Sequence, residues 1–304
     1  MSGFSSFTST VRGAARFGLY AAPLFTALVI VLPLAMAATQ QLDVELPPEG
    51  ELLNVPLETS GYYPGEHLSY RISWGAIRAG KSTMGVSLGK NEEGRDIILL
   101  TTTTRSSKGV SLFYPVRDRI VSQVDPATGV PMSIDIDQRH GRRQRIRKVV
   151  FDQEEGWATT FQSGREPVRV QTPPRVYDIL SVLYYFRAMR NLGPGQTRVI
   201  DVHEGKKNWR LVIHVEEREQ IKVPAGKFDT LKIRAEVRFN GVFYDRGDVH
   251  LWLTDDERHV PVQVRVKISI GSVLMRLTGL VQGKAIASDG GVDVSASPVD
   301  TATP

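Results

Sequence analysis

The chain has 304 residues, no cysteine and a formal net charge of +5. Without thiols it holds no disulfide, no cysteine-ligated metal, no thiol nucleophile and no N-terminal cysteine to carry a lipid. Hydrophobic residues make up 41%, enough to bury a sizeable core without covalent staples, and so mild a positive excess is thin support for nucleic-acid binding.

Residues 1–37 read as an export leader. Arg12 and Arg16 are the only charges before Asp43, and they precede an apolar run from Phe17 to Leu34 and the small-residue step Ala35-Met36-Ala37. A basic start, an apolar middle and an A-x-A step form the layout of a secretory signal peptide, with cleavage expected after Ala37. The alternative is an uncleaved inner-membrane anchor, because the run approaches the roughly 18 residues that span a bilayer. Pro23 and Pro33 interrupt that run. Either way the basic end stays cytoplasmic and the remainder is delivered outside, so the expected location is the periplasm. Export also argues against a nucleic-acid partner, and no later apolar run is long enough to span after cleavage.

Residues 38–60 are acidic and proline-bearing (Leu46-Pro47-Pro48-Glu49-Gly50) and read as a linker. A folded domain is expected over 61–287. Residues 288–304, built of Gly, Ser, Asp, Thr, Ala and Pro with valine as the only larger apolar residue, read as a disordered tail.

Within the domain, alternation at period two dominates. Leu68, Tyr70, Ile72 and Trp74 alternate with polar neighbours, as do Leu231, Ile233, Ala235, Val237 and Phe239. The cleanest run is Val262, Val264, Val266, Ile268 and Ile270. Side chains at i and i+2 share a face, so each run has one dry and one wet face, the mark of antiparallel strands over one core. Turn signals separate the runs: Gly75 and Gly80 around the first link, then Asn91-Glu92-Glu93-Gly94, Asp125-Pro126, Pro224-Ala225-Gly226 and Asp255-Asp256-Glu257. The expected fold is mainly β, an antiparallel curved sheet or barrel of about a dozen strands with one packed helix.

That helix is expected over Val176–Arg190. Ile179, Val182, Leu183 and Phe186 fall at helical spacing, and Leu180, Tyr184 and Tyr185 widen the apolar face. Asp178 suits the first turn, Arg187 and Arg190 the last, and Gly193-Pro194-Gly195 ends it. A helix apolar around most of its circumference belongs against the sheet or inside a barrel.

Motifs for chemistry are sparse. Histidines 67, 140, 203, 214, 250 and 259 lack i, i+4 or clustered metal spacing and read as scattered surface residues. Ser181 has no nucleophile elbow around it and is expected to pack or bond back to its helix. The acidic pairs Glu216-Glu217 and Asp255-Asp256 read as solvated turns or strand ends, and no glycine loop opens a helix to cradle phosphate. No catalytic set, metal site or cofactor is expected, and the chain is not expected to be an enzyme.

The charged feature that stands out is Arg139-His140-Gly141-Arg142-Arg143-Gln144-Arg145-Ile146-Arg147-Lys148. It reads as a hairpin turning at Gly141, with Arg143, Arg145 and Arg147 on one face of its second strand, about 7 Å apart. Such a row suits the phosphates or carboxylates of a lipid headgroup or glycan, with Arg142 nearby at the turn. The alternative is a wet outer face whose arginines only discourage edge-to-edge pairing.

Five segments together resemble a family of exported bacterial proteins whose domain has no assigned function. They are Tyr70-Arg71-Ile72-Ser73-Trp74-Gly75-Ala76-Ile77-Arg78-Ala79-Gly80, Asp178-Ile179-Leu180-Ser181-Val182-Leu183-Tyr184-Tyr185-Phe186-Arg187, Pro224-Ala225-Gly226-Lys227-Phe228, Leu251-Trp252-Leu253-Thr254-Asp255-Asp256 and Pro261-Val262. The resemblance covers about residues 66–284 and implies an antiparallel, barrel-like periplasmic domain, without catalytic residues to carry over. The expected function is a non-catalytic binding or carrier protein for an amphipathic or anionic envelope molecule. The competing readings are an envelope interaction module without a ligand and an outer-membrane barrel, whose apolar-out alternation reads identically.

Overall fold

The computed structural model describes residues 61–239, 242–243, 249–268 and 271–285. The expected leader, linker and tail lie outside the described residues, as does the end of the Val262–Ile270 run. In chain order the first strands are β1 (His67–Trp74), β2 (Ile77–Lys90) and β3 (Asp96–Ser106), followed by the one-turn helix α1 (Lys108–Ser111). Then come β4 (Val116–Val124), β5 (Pro131–His140), β6 (Arg143–Asp152), β7 (Trp157–Gln162), β8 (Val168–Gln171) and α2 (Ser181–Arg187). The second half holds β9 (Thr197–Glu204), β10 (Lys207–Val223), β11 (Gly226–Phe239), β12 (Val242–Phe243), β13 (Val249–Thr254), β14 (Pro261–Lys267) and β15 (Ser272–Val281).

All belong to one sheet in the order β8-β7-β6-β5-β4-β3-β2-β1-β15-β14-β13-β11-β10-β9, with β12 beside β11. The ladders along that path are antiparallel. The mainly β, antiparallel curved sheet read from alternation is the fold observed. Its apolar face points inward: Leu68, Tyr70 and Ile72 meet Ile98, Leu100, Ile120 and Ile136 in the core. That is the reverse of a membrane barrel, which carries its apolar band outside.

The sheet curls until its two ends meet, and the seam is sealed by few backbone bonds. Tyr177 forms a single parallel bridge to Val202, its N–H donating to the Asp201 carbonyl (3.0 Å) while its own carbonyl accepts from His203 (2.8 Å). The Thr160 hydroxyl donates to the Gly205 carbonyl at 2.5 Å and the Asn208 amide to the Gln171 carbonyl at 2.7 Å. The tip of the β9–β10 hairpin therefore lies over the inner face of β6–β8.

Helix α2 fills the space enclosed. Tyr184 joins the core under β1–β6, and Val182 and Phe186 join a second cluster under β9–β11. The helix is shorter than the expected Val176–Arg190, because Tyr177 is held extended by its bridge to β9 and helical bonding starts only after it. Asp178 caps the first turn as expected, accepting from the Leu180 and Ser181 N–H groups at 2.7 and 2.8 Å, and the Ser181 hydroxyl oxygen in turn accepts from the Asp178 N–H at 3.0 Å. Asp178 is itself fully buried and also accepts from the Ser122 hydroxyl at 2.6 Å. Burial pushes its carboxyl above the usual carboxylate range, against the pull of those donors.

Arg187 stands in the last turn of α2, as expected, but does more than face the helix end. It is buried and makes a bidentate pair with Glu66 at 2.7 and 2.8 Å, while its Nε donates to the Arg258 carbonyl. Three other readings are corrected by the structure. Gly75 sits in the first turn with φ +54°, but Gly80 lies within β2, at a bulge opposite Ile72. Glu216 and Glu217 lie mid-strand in β10 at another bulge, paired with Lys232 and Arg234. His203 and His259 are buried rather than on the surface: His203 is covered at the seam, where it meets Phe151, and His259 is turned inward by the β13–β14 turn, its ring 3.0 Å from the Arg187 carbonyl.

Candidate functional site

Register in β4, β5 and β6 decides where the arginine row points. Val149 and Phe151 are core residues of β6, so Arg147, Arg145 and Arg143 continue their side of the strand at i−2 steps. No register shift is found in the β5–β6 ladder, so the alternation is unbroken. The row lies on the core-facing side of the sheet, not on a wet outer wall.

Beside it the same face turns polar. Across neighbouring strands Ser82, Thr104, Asp118, Gln138 and Arg145 fall opposite one another. Ser82, Thr104, Asp118 and Gln138 are all buried. The Ser82 and Thr104 hydroxyls are 3.0 Å apart, and the Asp118 carboxylate holds the His140 ring at 2.9 and 3.0 Å. Gln138 is only 6% exposed, yet its amide nitrogen has no hydrogen-bond partner among the described residues. A buried donor left without an acceptor costs stability on the order of 1–3 kcal/mol, so it marks a place where something polar is wanted. Tyr114 overhangs this corner, its ring 6.5 Å from that of His140 and its hydroxyl raised by burial while Arg143 pulls it down.

The structure divides the four arginines proposed from sequence. Arg142 sits in the β5–β6 turn, and Arg143 and Arg145 are exposed at the open end of the inner face; none of the three has an ion-pair partner among the described residues. Arg147 is different. It is mostly buried and pairs closely with Glu204 across the seam, so it closes the barrel rather than waiting for a ligand. His203 lies next to this pair, edge-on to Phe151 at 5.9 Å, with its ring pKa lowered by burial. Sequence reasoning missed Gln138, Asp118 and Glu204. The available signal was the continuation of Ile134 and Ile136 to Gln138 and His140, which carries the inner face into polar residues two steps before the turn.

The corner can therefore recognise an anion: guanidinium groups at the rim, an amide donor deeper in, and apolar strands beyond them. Among the described residues no three His, Asp or Glu side chains gather as metal ligands.

Fold and site together define an antiparallel, barrel-like β domain with a basic mouth. The chain belongs to the DUF3108 family of proteins of unknown function, whose model matches residues 69–278. Among solved structures it is similar to a β-barrel-like DUF1849 protein from Brucella abortus, with a TM-score of 0.50, 8% identity, and coverage of 72% of this chain and 98% of that one. Fainter likenesses are to a protein described as exported, with a YmcC-like fold, from Bacteroides fragilis (TM-score 0.33, 9% identity, 72% and 97% covered). Another is to a protein described as a lipoprotein from Parabacteroides distasonis (0.30, 7%, 73% and 98%). No curated protein matches the chain.

Proposed function

We propose that this domain is a non-catalytic binding protein of the periplasm, taking an amphipathic molecule with a phosphate or carboxylate head. One observation carries the reading. Arg143 and Arg145 stand on the core-facing side of β6, next to the buried amide nitrogen of Gln138, which has no partner among the described residues. The head would meet Arg143, Arg145 and Gln138, with Arg142 near, and the tail would lie toward the apolar part of the same face.

Thermal melting tests it. Dodecyl phosphate below its micelle concentration should raise the melting temperature, with stabilisation of about 2.7 kcal/mol at a hundredfold excess over the dissociation constant. Neutral dodecyl maltoside should do less. Arg143→Glu with Arg145→Glu should remove the preference for the anionic amphiphile, most visibly at low salt. Gln138→Leu should raise the stability of the free protein while weakening the anionic shift, because it removes an unsatisfied donor and a ligand contact together. No shift with either amphiphile, or an unchanged shift in the double arginine variant, would sink the reading. An envelope interaction module without a ligand is the second reading, favoured by the way α2, with Tyr184 and Phe186, occupies the enclosed space.

A further inference from the structure

The ends of this meander differ in kind. Turns alternate between the two ends of an antiparallel meander, so β1–β2, β3–β4 and β5–β6 turn at the same end and lie side by side in the sheet order. They are tied together: the Ser107 N–H donates to the Ala79 carbonyl and the Gly141 N–H to the Pro115 carbonyl, both at 2.8 Å. Segments 73–78, 105–117 and 139–145, which make up this rim, contain eight Lys or Arg and no Asp or Glu. Two carboxylates just inside the rim are occupied, Asp118 with His140 and Asp137 with Arg139 and Gln144, while the next turn at this end, β7–β8, carries one charge of each sign in Arg165 and Glu166. The opposite end is acidic, its turns carrying Glu92-Glu93, Asp125, Glu154-Glu155 and Asp255-Asp256-Glu257.

The basic rim also exposes bulky apolar side chains. Leu112 is 82% and Phe113 74% exposed, adjacent at the tip after α1, and Ile77 on the neighbouring hairpin is 46% exposed. Two neighbouring large apolar residues at a loop tip cannot be explained by the core beneath, which Val110 and Tyr114 on either side do reach. Arg142 and Lys108 sit on the same rim.

We infer that this rim is a membrane-docking surface, in which Leu112 and Phe113 enter the headgroup region of an anionic lipid bilayer while the surrounding cations meet its phosphates. Charge chooses the occupant. An anionic bilayer offers the negative field that this basic rim matches, where of the eight cations only Arg139 pairs with a carboxylate among the described residues, and the acidic far end turns the molecule so that this rim leads. A second copy docking through the same rim would set basic against basic. The contribution is separable from ligand binding, since Leu112 and Phe113 lie outside the corner formed by Gln138, Arg143 and Arg145.

The test is co-sedimentation of the chain, as processed and recovered from cells, with vesicles of equal parts phosphatidylglycerol and phosphatidylcholine. Pure phosphatidylcholine vesicles serve as the comparison. The parent should bind the anionic vesicles, and salt should release it. Leu112→Ser with Phe113→Ser should raise the lipid concentration for half-binding by tenfold or more, on the order expected for withdrawing two large side chains from an apolar phase. Lys108→Ala and Arg142→Ala should each cost about fivefold. Phe161→Ser, an exposed aromatic on the outer wall, should change nothing. All these side chains are exposed, so melting temperatures should match the parent. The amphiphile shift should survive the Leu112/Phe113 substitutions, which separates failure of docking from failure of the ligand site. Equal binding to both vesicle types, or parent-like binding by the Leu112/Phe113 variant, overturns the inference. So does light scattering that shows a dimer which the same variant dissolves.

Discussion

Replacing Arg187 with methionine should cost about 3–5 kcal/mol, a large share of the roughly 5–15 kcal/mol that holds a domain folded. The magnitude follows from the geometry. Both Glu66 oxygens accept from Arg187, at 2.7 and 2.8 Å, and both side chains are 0% exposed. Methionine keeps much of the aliphatic packing, with the guanidinium's stacking position 5.0 Å from the Tyr184 ring vacated. It leaves a carboxylate in a dry site without a donor, and it also removes the bond from Nε to the Arg258 carbonyl. The comparison that isolates the charge is Glu66→Gln in the Arg187→Met background. That double variant should recover part of the loss, because a neutral amide costs less to bury than an unpaired carboxylate. Urea unfolding followed by tryptophan fluorescence and far-UV circular dichroism gives both free energies, provided the two transitions coincide. A single variant within about 1 kcal/mol of the parent, or losses that simply add in the double variant, would refute the reasoning, since contacting residues should couple.

Asp178 should respond differently to two substitutions. Asp178→Ala removes the acceptor of two backbone N–H groups and of the Ser122 hydroxyl and should cost about 2–4 kcal/mol. Asp178→Asn keeps one acceptor oxygen and should stay within about 1 kcal/mol of the parent. Its pH dependence gives the sign: burial holds the folded carboxyl above 3.8, so the unfolded chain ionises first and stability falls as pH rises from there through the folded value. The asparagine variant should lack that decline in urea titrations taken across the acid range; an identical slope would remove burial as the cause. The exported form should begin at Ala38, as intact mass of the periplasmic protein will show, whereas a retained N-terminus in the membrane fraction would make Phe17–Leu34 an anchor.

Alternation alone determined the sheet. Leu68, Tyr70 and Ile72 are apolar at period two, and a strand with one dry face has few ways to bury it except in an antiparallel sheet folded over a core. The turns after Trp74, Lys90, Val124 and His140 were legible because Gly75, Asn91–Gly94, Asp125 and Gly141 relieve backbone demands that other residues meet poorly. Helix α2 was visible in its apolar spacing, and Asp178 in its capping position. Its true start was not, because the bridge that holds Tyr177 extended joins residues brought together only when the sheet curls shut. The fates of the charges were likewise decided in three dimensions. Arg187 and Arg190 look alike along the chain, yet only Arg187 faces Glu66, 121 residues away. Arg143, Arg145 and Arg147 share one face by period, but which face is inward depends on the strands beside them, and Glu204 claims Arg147 from across a seam that no local pattern encodes. Periodicity is a property of neighbours in sequence; the partner of a buried charge is a property of closure.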